Sequence, residues 1–183
     1  MVHAISHFQS NEAEFAEKLR KGLRSSAISV SLLTTRDTEG KYHGHAVTGA
    51  VPISTSQPSI MVAMSRSTSS FGAIEESNLY CINQITSKNM EILDCFCRSD
   101  MVARRFTSYY WKSGLHGLPY LENARTSFFC RVMGKHDYDN QTVFVGRIEG
   151  VWLGGDLDPE GVDPIIWING APARLAERGH SPA

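Results

Sequence analysis

The chain has 183 residues, of which 42% are hydrophobic and 20% charged, a balance that suits one soluble folded domain and is too apolar for a disordered chain. Its 18 Lys and Arg against 19 Asp and Glu leave a net charge of −1, so the molecule as a whole has no field that would draw in nucleic acid or an anionic membrane. No apolar run approaches the roughly 20 residues of a membrane span, and Met1 to His7 lacks the basic start and apolar stretch of a secretory signal.

In chain order, the first expected element is a helix from Asn11 to about Lys21. Asn11 and Glu14 have capping-box spacing, Phe15, Ala16, Leu19 and Leu23 recur at helical intervals, and Gly22 is the expected stop. Ala27 to Thr35 changes to β-rich alternation. Asp37-Thr38-Glu39-Gly40 reads as a turn, and Lys41 to Ile53 as the return strand of a hairpin. Ile60 to Met64 is a short buried strand, Ser65 to Ser70 a polar loop, Phe71 to Glu76 a short helix and Leu79 to Ile85 a strand. Asn89 to Arg98 is expected to be helical, with Ile92, Cys95 and Phe96 inward, and Met101 to Tyr110 also helical.

Trp111 to Pro119 reads as a loop. Ser127 to Met133 and Thr142 to Leu153 are strands across a polar turn at Asp137-Tyr138-Asp139-Asn140. Gly154 to Asp163 is a Gly/Asp loop whose Asp156, Asp158, Glu160 and Asp163 form a solvated acidic face. Pro164 to Ile168 is a last strand, and residues 176–183 a frayed tail. Hairpin-linked strands with few, non-alternating helices argue for a mainly β fold, an antiparallel barrel with peripheral helices, and against a doubly wound parallel sheet. No Gly-x-Gly-x-x-Gly follows a strand, and no Gly-Lys-Ser/Thr, His-Glu-x-x-His or Gly-x-Ser-x-Gly is present. Cys95 and Cys97 have the wrong spacing for a Cys-x-x-Cys site; with Cys81 and Cys130 they read as free thiols of a cytoplasmic protein.

Two polar loops bracket one short strand: Gly44 to Ser54 and Ser65 to Ser70. In the second, Arg66 offers a planar charged fork, Ser65, Ser67, Thr68, Ser69 and Ser70 offer hydroxyls, and the start of the Phe71 helix offers free backbone N–H groups. Such a set is either a phosphate cradle or an ordinary serine-rich lead-in to a capped helix with a solvated arginine. His43 and His45, two apart in a strand, point to one face, but no third ligand stands at suitable spacing and no metal site is expected. Trp111, Trp152 and Trp167 read as core or subunit contacts.

Taken in order, these segments resemble the flavin reductase-like family of split-barrel FMN- or FAD-binding proteins, often the reductase partners of two-component monooxygenases. The resemblance covers residues 23–175, between an N-terminal helix and lead-in over 1–22 and the tail over 176–183. It rests on Gly44 to Ser54, Arg66-Ser67-Thr68-Ser69, Ala73 to Ser77 followed by Tyr80-Cys81-Ile82-Asn83, Arg105-Phe106 with Trp111, Gly117-Leu118-Pro119, Phe129 to Val132, Thr142 to Ile148, and Pro164 to Trp167 with Gly170. It implies an antiparallel split β-barrel. Thr48, Gly49, Ala50 and Val51 would line the flavin ring, Gly49 letting the ring approach the backbone. Ser65, Arg66, Ser67 and Ser69 would hold ribityl and phosphate, and Arg105 and Phe106 would close over the site.

The same resemblance implies an NAD(P)H-dependent flavin reductase, with FMN or FAD as flavin and NADH or NADPH as co-substrate. Hydride would pass from nicotinamide to flavin, with no side chain acting as acid or base. It also implies a homodimer, a possible monooxygenase component as partner, and neither nucleic acid nor membrane. Gln141 and His116 are the expected contacts to the nicotinamide substrate. Two positions depart from the family pattern. Asn140-Gln141 stands where an Asp-His pair is common, so the carboxamide partner carries no charge, with His136 five residues earlier as the other imidazole. Pro52 stands where serine is usual and belongs at an edge or bulge. The first departure motivates an alternative, a flavin-binding protein without reductase activity; a third reading is a flavoenzyme acting on another small substrate.

Overall fold

Strand β1 (Ile28–Arg36) is the trunk of the molecule, because it pairs along both edges and forks on one of them. The computed structural model describes residues 11–154 and 163–173; Asp156, Asp158, Glu160 and the tail lie outside the described residues. On one edge β1 pairs with β5 (Leu79–Gln84). Farther along that same edge Ile28 and Ser29 pair with β10 (Ile166–Ile168), while on the other edge Val30 to Arg36 pair with β2 (Tyr42–Thr48). From β5 the sheet continues through β8 (Thr126–Tyr138), β9 (Gln141–Leu153) and β4 (Ser59–Ser65) to β3 (Val51–Ser54), every pairing antiparallel. β11 (Ala171–Ala173) extends β10, and β6 (Trp111–Ser113) pairs with β7 (Pro119–Leu121) in a separate ribbon.

The strip from β2 through β1, β5, β8, β9 and β4 to β3 thus ends on two strands that are consecutive in the chain, joined by Gly49 and Ala50. Two residues reach only about 7 Å, so the strip has to curl until its edges meet. No ladder joins β2 to β3, and the closure is a seam rather than a bonded barrel. The alternation inside the strands supplies the reason to curl. Leu33, Val47, Ile60, Val62, Met64, Tyr80, Ile82, Cys130 and Phe144 face one enclosed core. Ile74 of helix α2 (Ser69–Ser77) packs into that core as well. Tyr80 braces it from within: its hydroxyl donates to the Ile60 carbonyl at 3.1 Å, and Gly146 leaves the space its ring fills.

Two covers bury parts of the outer face. Helix α3 (Met90–Cys97) lays Leu93 and Phe96 over Val30, Leu32 and Ile85. The β6–β7 ribbon and the loop between them place Leu118 over Cys81 and Phe129. Glu149 fastens the second cover. Its carboxylate accepts from Arg131 Nε at 3.0 Å and Arg147 at 2.8 Å and meets His116 Nε2 at 2.8 Å. Those partners, Arg147 first, hold its carboxyl down at about 2.

Several expectations are corrected by tertiary context. Helix α1 (Glu12–Arg24) begins where expected, Asn11 accepting from the Glu14 N–H at 2.8 Å, but runs through Gly22 to a cap at Ser25. Mid-helix glycine costs only about 1 kcal/mol, and the Glu14–Lys18 and Glu17–Lys21 pairs offset part of it. The return strand over 41–53 breaks in two at Gly49, whose φ of 80° belongs to glycine. The stretch 101–110 is a 3-10 turn (Ser99–Arg104) and irregular chain instead of a helix, and 111–119 carries short strands instead of a loop. β8 runs on to Tyr138, past Met133, with both faces exposed, which no hydrophobic alternation can signal. Pro164 forms a lone bridge to Thr86, and the strand starts at Ile166.

Asn83 stitches the covers to the trunk. Its Nδ2 donates to the Leu32 carbonyl and Thr34 Oγ1, both at 3.1 Å, and its Oδ1 accepts from Leu121 N–H at 2.9 Å and Ser127 Oγ at 2.8 Å. All of this lies at zero exposure for Asn83, so removing the amide strands buried partners on three strands. Asn83→Ala is expected to lower the unfolding free energy by about 3 kcal/mol, read as a lower midpoint in urea with an unchanged slope.

Candidate functional site

The seam at Gly49-Ala50 sets the location of the site. Antiparallel pairing of Val51 with Met61 means that stepping back from Val51 to Ala50 and Gly49 moves toward the Ser65 end of β4. Thr48 is exposed at the end of β2, Ala50 packs against the interior, and Val51 is exposed on the outer face. Nothing lies within 4 Å of where a Gly49 Cβ would stand, so the backbone there is open to a flat ligand.

At the same end the chain turns from β4 into α2. Ser65 and Ser67 share a hydroxyl hydrogen bond of 2.9 Å, and Ser65 Oγ also accepts from the Ser67 N–H. Thr68 stands at the N-cap, yet its hydroxyl donates back to the Ser65 carbonyl at 2.9 Å instead of capping the helix. The helix start carries no acidic side chain, and the N–H groups of Ser69 and Ser70 have no partner among the described residues. Ser69 is exposed. A helix terminus with free donors and no resident carboxylate favours an anion.

The β8–β9 hairpin overhangs this loop. Gln141 pairs with Ser65, the Arg66 N–H donates to the Asn140 carbonyl at 3.0 Å, and the Arg66 guanidinium donates to the Asp139 carbonyl at 3.0 Å. Asp137 lies 3.9 Å from that guanidinium and is held below the ordinary carboxylate range, first by the Thr142 hydroxyl and then by burial-opposed attraction to Arg66 and Lys135. Lys135 reaches Glu75 of α2 at 2.6 Å. Arg66 keeps about 43% of its side chain exposed, so the fork remains available from the solvent side.

Thr48 to Val51, Ser65, Arg66, Ser67, Ser69 and Gln141 therefore gather at one end of the barrel. Arg105, Phe106 and His116 do not join them. Arg105 spends its guanidinium on carbonyls, donating to Gly44 at 2.8 Å and Cys95 at 3.2 Å, with Phe96 beneath it at 5.6 Å. Phe106 packs on Tyr42, Phe96 and Trp111 at the opposite end of β2, roughly 20 Å along the strand from Thr48. His116 sits in the Glu149 clasp, next to Arg147, which pairs with Ser59, and Ser59 is roughly 20 Å along β4 from Ser65. Among the described residues no cluster of His, Cys, Asp and Glu has the spacing of a metal site, and no helix is long and apolar enough to cross a membrane.

The model of the flavin reductase like domain matches residues 23–176. The chain belongs to that family. A relative, the FMN reductase (NADH) RutF 1 of Methylorubrum extorquens, is 27% identical over 143 residues, spanning 78% of this chain and 70% of that protein. A flavin reductase domain protein from Arthrobacter sp. shares the fold with a TM-score of 0.80 at 22% identity, covering 88% of this chain and 96% of the other. A nitrilotriacetate monooxygenase component B homologue from Mycobacterium thermoresistibile also gives 0.80 at 22% identity, over 94% and 93%. The mainly antiparallel sheet with a few helices is thus the fold of flavin reductases.

Against that family background, the site of this flavin reductase-like chain contains a contact that the sequence did not disclose. His45 lies on the interior side of β2 and its Nδ1 is 2.6 Å from Ser70 Oγ. Burial, with the Arg105 charge adding to it, pulls the imidazole down to about 4, so His45 is neutral at physiological pH. An imidazole at an interior position of an alternating strand was the only signal, and nothing in one sequence named Ser70 as its partner. The folded form takes up a proton at about 4 and the unfolded chain at 6.5, so stability is complete above pH 6.5 and declines as pH falls toward 4. The expected decline is about 3 kcal/mol, measured by urea unfolding across that window, and His45→Asn, which does not titrate, should lose most of it.

Proposed function

We propose that the protein is an NADH-dependent flavin reductase that binds FMN at the end of the barrel formed by Thr48 to Val51 and Ser65 to Ser70. The observation that carries the reading is the start of α2: Ser69 and Ser70 N–H groups without partners, exposed Ser67 and Ser69 hydroxyls and the Arg66 fork, all beside the open backbone of Gly49, in a chain of the flavin reductase like domain family. These groups fit a flavin phosphate and a flat ring. Bound flavin supplies the hydride-accepting chemistry, and the chain's own residues bind and orient it. Gly49 and its neighbours meet the ring edge with backbone groups, while Arg66 and the α2 terminus neutralise the phosphate locally. NADH as donor, and a monooxygenase as consumer of the reduced flavin, are carried over from the FMN reductase (NADH) relative and the monooxygenase component B homologue.

The reading extends to a cytoplasmic homodimer. Among the described residues nothing covers the outer face of β3 and β4, and Val51, Ile53 and Met61 are exposed there at 45%, 51% and 37%, where a solvent-facing strand carries polar residues. Helix α1 adds a second unpartnered stripe, Phe15, Leu19 and Leu23, with no residue of the helix buried. A second reading is favoured by Gln141, whose Nε2 donates to Asn140 Oδ1 at 3.1 Å and carries no charge: a flavin-binding protein that does not use a nicotinamide.

Mixing the FMN-saturated protein anaerobically with NADH in a stopped-flow instrument separates the two. The reductase reading expects bleaching of the flavin absorbance; bound but unbleached FMN leaves the second reading, and absence of any FMN binding removes both. Arg66→Ala is expected to weaken FMN binding by about 1–3 kcal/mol in fluorescence titration, and unchanged affinity would count against a phosphate contact.

A further inference from the structure

The geometry points to His45 as a positioning residue that pins the first turn of α2 to β2 and thereby sets the phosphate-binding end of the site. His45 stands three residues before Thr48, and Ser70 is the second residue of α2, so their 2.6 Å hydrogen bond is a side-chain tie between the two loops of the site. Ser70 is fully buried. Its hydroxyl is turned inward to the imidazole, which leaves the helix to present backbone N–H groups and the Ser69 hydroxyl outward. The tie matters because, among the described residues, it is the side-chain hydrogen bond that fixes this helix end: Thr68 gives its hydroxyl to the Ser65 carbonyl and makes no cap bond, and Phe71 packs on Phe144 by its ring without any directional bond. His45 is itself held from behind, since Arg105, just past the 3-10 turn, clamps the Gly44 carbonyl at 2.8 Å. Imidazole Nε2 has no partner among the described residues, so the contribution of the ring runs through Nδ1 and Ser70 alone. A frayed first turn would misalign the Ser69 and Ser70 N–H groups that face an anion, with little effect on the ring-binding backbone at Gly49.

The inference rests on the flavin reading above, and FMN and riboflavin, which differ by the phosphate, test it. Affinities of both are measured by fluorescence quenching near pH 7.5 for the wild type, His45→Leu, Ser70→Ala, the double variant and His45→Asn, with circular dichroism to confirm folding. A pin predicts that His45→Leu and Ser70→Ala each raise the Kd for FMN about tenfold and the Kd for riboflavin less than about twofold. It also predicts that the double variant is no worse than either single one, and that His45→Asn, which keeps a hydrogen-bonding group near the Nδ1 position, binds FMN about as the wild type does. Unchanged FMN affinity in folded Ser70→Ala overturns the pin, and so does an equal loss for both flavins, which marks a merely structural role. A wild type that binds neither flavin overturns the flavin reading itself, an outcome distinct from either of these. Should His45→Leu fail to fold, Ser70→Ala and His45→Asn decide the question.

Discussion

The two-residue link between β2 and β3 is the constraint on which the rest of the molecule depends. It joins the two edge strands of a seven-strand antiparallel strip, and so converts a sheet into an enclosure. Once the edges are brought together, alternate side chains of each strand have one common interior to fill, and the link itself is left at the rim. Only Gly49 sits there with positive φ in the described part of the link, and the conformation that makes the tight passage also strips the rim of a side chain. The same closure carries the β4–α2 turn to that rim. A bonded barrel would spend the β2 and β3 edges on each other; the seam leaves them to be filled by packing, and Tyr80 supplies the brace by reaching across to the Ile60 carbonyl.

Electrostatics follow from the same arrangement. A chain with net charge −1 cannot attract a phosphate by its overall field. What it offers is local: the α2 terminus, which lacks an acidic residue in its first turn, and Arg66, whose guanidinium is steadied by the Asp139 carbonyl without being neutralised by a close carboxylate, Asp137 standing at 3.9 Å. The largest carboxylate cluster is elsewhere. Glu149 gathers Arg131, Arg147 and His116 into a clasp at the far end of β4, where their charge holds a cover in place. The Glu149 clasp and the charges available to a ligand are thus separated by the length of a strand, while nearer the site Lys135 and Glu75 tie the hairpin to α2.

The alternating strands, the polar loops and the flanking helices were legible because each is a local pattern. Leu79 to Ile85 and Thr142 to Leu153 alternate, and their strands stand within two residues of expectation. The order of motifs disclosed the fold class, and the serine-rich loop disclosed the turn into α2. What was not legible depended on partners far apart in sequence. Arg105 and His116 look from the chain like residues of an active-site mouth; in space one clamps the Gly44 carbonyl and the other meets Glu149. Asn83 carries no local sign that its amide gathers Leu32, Thr34, Leu121 and Ser127. The β6–β7 ribbon forms from three-residue strands that no window of periodicity can detect, and the outer half of β8 is exposed on both faces, so no apolar face marks it.

The covers also decide from which side the proposed site can be reached. Helix α3 occupies the outer face of β1, β2 and β5, and the β6–β7 ribbon that of β5 and β8. Among the described residues, the side over β3, β4 and the outer half of the β8–β9 hairpin is the one left uncovered next to Gly49 and Ser65. A nicotinamide donor and a second copy of the chain would have to share that side. Val51, Ile53 and Met61 make it apolar toward β3, whereas Gln141, Asn140 and Arg66 make it polar toward the hairpin. Apolar surface favours a protein partner and the polar margin a nucleotide. For the proposed dimer, the division would leave the approach to Gln141 open, with a subunit boundary along β3 falling beside the proposed flavin loops instead of across them.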